Sequence, residues 1–368
     1  MGIPVCKPTL GGNEAAYAYD CLSSNWISSG GKYIEQFENV FSKWCGVKYG
    51  VSCTSGTAAL HLAVTALGIG KGDEVIMPSF TIVSCANAVV YNGATPVFID
   101  SDMETRNMDV RLIEKMITPK TKAIMVVHTY GNPVDMDPVM KIAKKHKLYI
   151  IEDAAEAHGA AYKGKKVGSF GDIACFSFYA NKIITTGEGG MCVTNSEHLY
   201  KKMNSLKNLC FTHPRFYHEE IGFNYRMTNI QAAIGVAQME RADEYVAARI
   251  ENAKEYNERL KGIRGLQLPP ESKDGTNVHW MYSIQVDEDA FGATRDGLIA
   301  HLGSNAIQTR TFFCPLNTMP PFKNYPSTAC PVAQWLWATG LYLPSSTDLT
   351  IEEIDTVCDS IRSVPNGK

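Results

Sequence analysis

The stretch Ser177-Phe178-Tyr179-Ala180-Asn181-Lys182-Ile183-Ile184-Thr185-Thr186-Gly187-Glu188-Gly189-Gly190 carries one lysine where an apolar run gives way to a glycine-rich turn. A lysine amine is a nucleophile that forms Schiff bases with carbonyl compounds when burial or a nearby positive charge lowers its pKa. Lys182 is therefore a candidate nucleophile; the plainer reading is a solvated loop cation. A second group lies in Asp153-Ala154-Ala155-Glu156-Ala157-His158-Gly159. Buried carboxylates need a cation or hydrogen-bond donors. A protonated pyridine nitrogen would be such a partner, while a helix N-terminus would equally account for the acids. In Thr54-Ser55-Gly56-Thr57, small hydroxyl residues and a glycine precede an apolar helical pattern. Free N–H groups at the positive end of a helix bind phosphate, and the same residues also make an ordinary N-cap.

These groups require elements to position them. Tyr49 to Cys53 reads as a strand and Thr57 to Leu67 as a helix, with Ala58, Ala59, Leu60, Leu62, Ala63, Ala66 and Leu67 at helical spacing. From Asp73 onward strands and helices alternate, with strands at Glu74 to Met77, Thr95 to Asp100, Ala123 to His128 and Leu148 to Glu152. Such alternation implies a mostly parallel sheet covered on both faces, with ligands beyond the carboxyl ends of its strands. Further strands at Asp172 to Phe178 and Gly190 to Thr194 would place Lys182 in the loop between them. A helical pattern runs from Ile230 past Leu260, and its charged half, Glu240 to Arg259, reads as a connector into a second domain. The expected division is 1–245 and 246–368. Tyr282 to Val286 is strand-like, Arg295 to Leu302 helical, and Thr309 to Phe322 a loop rich in Pro and Phe.

Composition narrows the classes. A net charge of −3 and a pI near 6.3 give no bias toward nucleic acid or an anionic membrane. Met1 to Leu10 carries no basic region followed by an apolar run, and no later apolar stretch suits a bilayer, so a soluble, cytoplasmic protein is expected. The 11 cysteines are scattered without a CxxC pair, and His213 and His218 are separated by Pro214 without helical spacing, so no metal is expected. Trp26-Ile27-Ser28-Ser29-Gly30-Gly31 reads as an irregular loop that either lies over a ligand or anchors the N-terminal segment.

Taken in order, Ser55-Gly56-Thr57 before a helix, the Glu152 to Gly159 segment after a strand, Asn181-Lys182 before a glycine turn, and Gly222-Phe223-Asn224-Tyr225-Arg226-Met227-Thr228-Asn229 resemble the DegT-type sugar aminotransferases. The likeness runs from Pro8 to about Pro344. It implies an α/β protein of the aspartate aminotransferase fold (fold type I), with a large, mostly parallel sheet domain and a smaller C-terminal α+β domain. It also implies pyridoxal 5'-phosphate as cofactor. Lys182 would form the Schiff base with the cofactor aldehyde and then move a proton. Asp153 would pair with the pyridine nitrogen and Glu156 would face the phenolic oxygen. Ser55, Gly56, Thr57 and Ser177 would hold the phosphate and Ile82 would lie against the ring. Asn224 would reach the phosphate from a partner subunit, which requires a homodimer with a shared site. Trp26, Ser28, His158, Arg215, Tyr217, Arg226, Arg310 and Asn317 would stand on the substrate side.

Within the family, Trp26 to Ser29, Lys32-Tyr33-Ile34, Glu156, Arg215 to His218 and Asn224 to Ile230 look like a subgroup that carries an amine from glutamate to the 4-keto carbon of GDP-4-keto-6-deoxymannose, in ping-pong fashion. Three positions depart from the family pattern. Ile82 stands where relatives usually have an aromatic ring, Asn208-Leu209-Cys210 where they tend to have Gly-Gln-Gly, and Asn317 where many have histidine. Alternatives are an aminotransferase for another GDP-, UDP- or dTDP-linked 4-keto sugar, a sugar 3-dehydratase, in which histidine replaces the lysine, and a non-catalytic binding protein.

Overall fold

The computed structural model describes residues 2–214 and 216–364. A seven-stranded sheet forms its centre. In chain order its strands are β1 (Tyr49–Cys53), β2 (Glu74–Pro78), β3 (Thr95–Ile99), β4 (Thr121–Val127), β5 (Tyr149–Asp153), β6 (Ile173–Ser177) and β7 (Gly190–Thr194). In space they run β1-β7-β6-β5-β4-β2-β3. The β2/β3, β2/β4, β4/β5 and β5/β6 pairs are parallel, while β7 runs antiparallel to both of its neighbours. The mostly parallel sheet expected from the alternation is present. Its strands are apolar along nearly their whole length, as burial on both faces demands.

The reversed strand matters for placement. A parallel successor to β6 would require a crossover that carries the chain to the opposite end of the sheet. Because β7 is antiparallel, Ser177 pairs with Gly190, so residues 178–189 stay at the carboxyl end with Lys182 in their middle. The joint is tight. A Cβ on Gly190 would lie 2.2 Å from the carbonyl oxygen of Ser55, so the lysine loop and the turn after β1 approach to backbone contact.

Helix Gly56–Ala66 follows β1, capped by Ser55, whose hydroxyl accepts the Ala58 N–H at 3.1 Å. Eight of its 11 residues are buried. The helical run from Ile230 is two helices, Asn229–Met239 and Ala242–Leu260, interrupted at Arg241 (φ −123°, ψ 15°). Glu240, at the break, accepts from Asn13 and Tyr17. The apolar period continues across the interruption, which is why spacing alone merges the two. Asn229, buried at the start of the first helix, accepts from the Tyr33 N–H and donates to the Trp26 carbonyl, pinning the N-terminal loop.

Beyond Leu260, a four-stranded antiparallel sheet (Leu266–Gln267, Tyr282–Val286, Gly340–Leu343 and Arg310–Thr311, in spatial order) packs with helices Arg295–Ser304 and Ile351–Arg362 around Tyr256, Tyr282, Ile284, Leu298 and Ile354. The segment read as a loop at 309–322 thus contains a strand, because Arg310 and Thr311 pair with Tyr342 and Leu341. Among the described residues no helix is long and apolar enough to cross a membrane.

Gly190→Ala should force the Ser55 backbone to move and lower apoprotein stability by about 1–3 kcal/mol, the usual cost of overpacking. Gly187→Ala, at φ +80° with open space around its Cβ, should cost only about 1 kcal/mol of backbone strain. Urea midpoints of the two variants check the order.

Candidate active site

A cavity of about 350 Å³ opens at the carboxyl ends of the strands. Its floor is made by Ser55, Gly56 and Thr57 after β1, Asp153 at the end of β5, and Ser177 at the end of β6. Ile82 and Ser84 follow β2, Lys182 descends from the β6–β7 loop, and Trp280, Phe313 and Tyr342 close the far side from the C-terminal third. At the helix N-terminus, Thr57 Oγ1 donates to Ser84 Oγ at 2.8 Å, and Ser177 Oγ accepts the Tyr179 N–H at 3.3 Å. A Cβ on Gly56 would meet that of Ser177 at 2.7 Å, so the backbone itself lines this concavity.

Three ionisable groups face the space above. Asp153 is 2% exposed; its Oδ1 accepts the Ala155 N–H at 3.0 Å and its Oδ2 accepts from the Cys85 thiol at 2.9 Å. Neither partner carries a positive charge, and burial raises the carboxyl above its ordinary range. Glu156 Oε2 accepts the Tyr130 N–H at 2.9 Å, and Oε1 lies 4.0 Å from Lys182 Nζ. Tyr130 takes up φ +54° to aim that N–H, an uncommon backbone state for a bulky residue. Burial pushes the Glu156 carboxyl up to about 7, against the downward pull of the Lys182 ammonium. Burial also pulls the Lys182 amine below its ordinary value, although Glu156 and Asp153 oppose it. The ammonium lies 3.6 Å above the Trp280 ring, and the Trp280 Nε1–H donates to the Asn181 carbonyl at 2.9 Å.

The residues present fit pyridoxal phosphate. A hydroxyl-lined helix N-terminus suits its phosphate. The buried Asp153 carboxylate, held only by neutral donors, matches a protonated ring nitrogen. The lysine has the lowered pKa that Schiff-base chemistry needs.

Of the residues expected at the cofactor, Ser55, Gly56, Thr57, Ile82, Asp153, Glu156, Ser177 and Lys182 all line this cavity. Asn224 does not: it is exposed, and its Oδ1 accepts from Arg226 Nη2 at 2.6 Å while Arg226 Nη1 donates to Asn208. The substrate-side set is dispersed. Trp26 (61% exposed) and Ser28 belong to the loop pinned by Asn229, and Tyr217 is exposed. Arg215 lies outside the described residues. Arg310 is exposed beside Tyr342, across the strand pair. Asn317 accepts from Ser79 Oγ at 2.6 Å and does not line the cavity. His158 corrects the expectation: it is 0% exposed, packed among Phe41, Phe176 and Phe178, with its pKa pushed down to about 3 by burial. It serves the core because the residues after β5 turn inward there. Sequence reasoning missed Ser84, Trp280, Phe313 and Tyr342 as lining residues. Only Ser84 had a signal, as a hydroxyl at a helix start after a strand.

At the turn 208–210, Leu209 (φ +60°) and Cys210 (φ +50°) both adopt left-handed backbone. The chain follows a glycine-like path there without glycine.

An enclosure of this kind at the strand ends of an α/β sheet defines a lysine-centred aminotransferase class. The chain belongs to the DegT/DnrJ/EryC1/StrS aminotransferase family, whose model matches residues 8–362. It is 47% identical to a GDP-perosamine synthase of Caulobacter vibrioides, over 98% of this chain and 98% of the relative. It is 46% identical to a GDP-perosamine synthase of Escherichia coli O157:H7, over 100% of this chain and 99% of the relative. Among solved structures, the PLP form of the putative sugar aminotransferase Spr1654 from Streptococcus pneumoniae superposes with a TM-score of 0.93 at 27% identity, covering 99% of this chain and 98% of that one.

The raised Glu156 carboxyl has a thermodynamic consequence. Between its ordinary 4.5 and about 7 the folded protein holds a proton that the unfolded chain has lost, so apoprotein stability should fall as pH rises through that window. Glu156→Gln should remove that slope, leaving the variant more stable than wild type at pH 8 by up to about 3 kcal/mol. Denaturant titrations of both apoproteins between pH 4 and pH 8 measure it.

Proposed function

We propose that this chain is a pyridoxal-phosphate-dependent nucleotide-sugar aminotransferase that carries the amino group of L-glutamate to the 4-keto carbon of GDP-4-keto-6-deoxymannose, giving GDP-perosamine and 2-oxoglutarate. The observation that carries the class is the enclosure of Lys182 with Asp153 and Glu156 beside a hydroxyl-lined helix N-terminus. The sugar rests on similarity to GDP-perosamine synthases along the whole chain.

When bound, pyridoxal phosphate supplies a carbonyl carbon to carry the nitrogen and a ring to take up electrons as a proton leaves. The chain's own groups do the rest. Ser55, Gly56, Thr57 and Ser177 hold the phosphate through hydroxyls and free N–H groups. Asp153 keeps the proton on the ring nitrogen by charge. Glu156, poised near 7, shares a proton at the phenolic oxygen. Ile82 gives the ring an aliphatic wall in place of an aromatic one. Lys182, its basicity lowered, is available as nucleophile and then takes and returns a proton at the carbon bearing nitrogen. The Trp280 face steadies its ammonium form.

A homodimer completes this reading. Asn224, Trp26, Ser28 and Tyr217 stand outside their own chain's cavity on exposed loops, and a second copy is what would bring them to one. Arg226 holds the Asn224 side chain for that role. Arg310 and Arg215 remain the charged candidates for the nucleotide diphosphate. The division at residue 245 is supported by the separate apolar cluster around Tyr256 and Ile354. The 11 cysteines, all of them free, fit a reducing, cytoplasmic setting.

With glutamate as donor, the GDP-linked 4-keto sugar should gain an amine faster than its UDP- and dTDP-linked counterparts, read by product mass; preference for another nucleotide would discard the sugar and keep the chemistry. Borohydride treatment of the holoenzyme should fix the cofactor to the peptide carrying Lys182. Lys182→Ala should lose that adduct and at least about 100-fold in turnover. An adduct that survives in the variant would refute the role of Lys182.

A further inference from the structure

One short stretch beyond β2 touches three parts of the site. Ile82 walls the cavity, Ser84 accepts from Thr57 at the helix N-terminus, and Cys85, the next residue, is 0% exposed with its Sγ 2.9 Å from Asp153 Oδ2. Thr81 Oγ1 lies 3.5 Å from the same sulfur. The carboxylate is thus gripped from two sides, by the Ala155 N–H on Oδ1 and by the thiol on Oδ2, while it still faces the cavity.

We propose that Cys85 is a positioning residue for the cofactor: its S–H donates to Asp153 Oδ2 and holds the carboxylate in the orientation it presents to the ring nitrogen. This rests on the reading of Asp153 given above. A thiol suits the task because it packs as a small apolar group in a buried place and still has one S–H to donate. A methyl group in its place would leave Oδ2 without that donor and free to turn. Burial and the neighbouring Asp153 both keep the thiol protonated, so the sulfur is the donor and the carboxylate the acceptor. The side chain also links the ring end of the site to its phosphate end, since Ser84 and Cys85 are consecutive residues in the first turn of one helix.

The test is titration of apoprotein with pyridoxal phosphate, followed by quenching of tryptophan fluorescence, with the melting temperature of each apoprotein recorded alongside. Cys85→Ala should weaken cofactor affinity about five-fold, the size of one net hydrogen bond, and Cys85→Ser should restore it to within about two-fold of wild type. In an Asp153→Asn background, Cys85→Ala should change affinity by less than about two-fold. The Ala variant should lower kcat with little change in KM for the amino donor. A Ser variant as weak as Ala, or the same loss with Asp153 already replaced, would show that the sulfur only fills space and would overturn the proposal. Should the Ala variant fail to fold, the Cys85→Thr and Cys85→Val pair, alike in shape and differing in the donor, carries the same comparison. If Asp153→Asn alone kept wild-type affinity and turnover, the reading of Asp153 would fall and the proposal with it; a defective Asp153→Asn beside an indifferent Cys85→Ala would overturn the proposal alone.

Discussion

An ammonium and two carboxylates share an enclosure from which water is largely removed, and the rest of the structure is arranged to tolerate them. Taking a single such ion out of water costs several kcal/mol. Lys182 and Glu156 respond by drifting toward their neutral forms, the amine downward and the carboxyl up to about 7. Asp153 shifts the same way, burial raising its carboxyl above the ordinary range, and its donors, a thiol and a peptide N–H, bring no positive charge to it. The Asp153 carboxylate therefore lacks a hydrogen-bonded positive charge of its own. A protonated pyridine nitrogen supplies that charge, so the electrostatics that make the empty protein costly are the same that make the cofactor welcome.

Bringing the three groups together is a problem of topology before it is one of side chains. Asp153 ends a central parallel strand and Glu156 follows in the turn, so both lie at the carboxyl edge by construction. Lys182 follows β6 by five residues and so starts from the same edge, the loop stays there because β7 reverses, and the reversal requires glycine where the returning chain passes Ser55. The glycine turn that marked the lysine in sequence thus has a structural cause, an approach that would set any Cβ at Gly190 2.2 Å from the Ser55 carbonyl oxygen.

The chemistry at the floor was legible in the chain because each part sits within a few residues of a strand end, where composition and position coincide. Ser55 to Thr57, Asp153, Glu156 and Lys182 were found this way, Ser177 came from the family resemblance, and the cavity gathers them all. The far wall was not legible. Trp280 precedes a strand about 100 residues from Lys182, and Tyr342 lies in a strand whose partner reads as a Pro-rich loop. His158 misled for the opposite reason: it shares a stretch with two working acids, yet the direction of its side chain is set by the phenylalanines beneath it. The single long helix failed because the period of the apolar face survives the break at Arg241.

The two halves of the cavity are therefore held by different means. The floor is fixed by sheet register and backbone contact, which leave little room for change without unfolding. The opposite side is built from Trp280, Phe313 and Tyr342 and from Ile82 at 39% exposure. Aromatic and aliphatic surfaces of this kind accept a sugar ring by shape, and Arg310 stands exposed beside Tyr342. The acids and the lysine are bound to the register of the central sheet, and the aromatic wall opposite them is carried by segments outside that sheet.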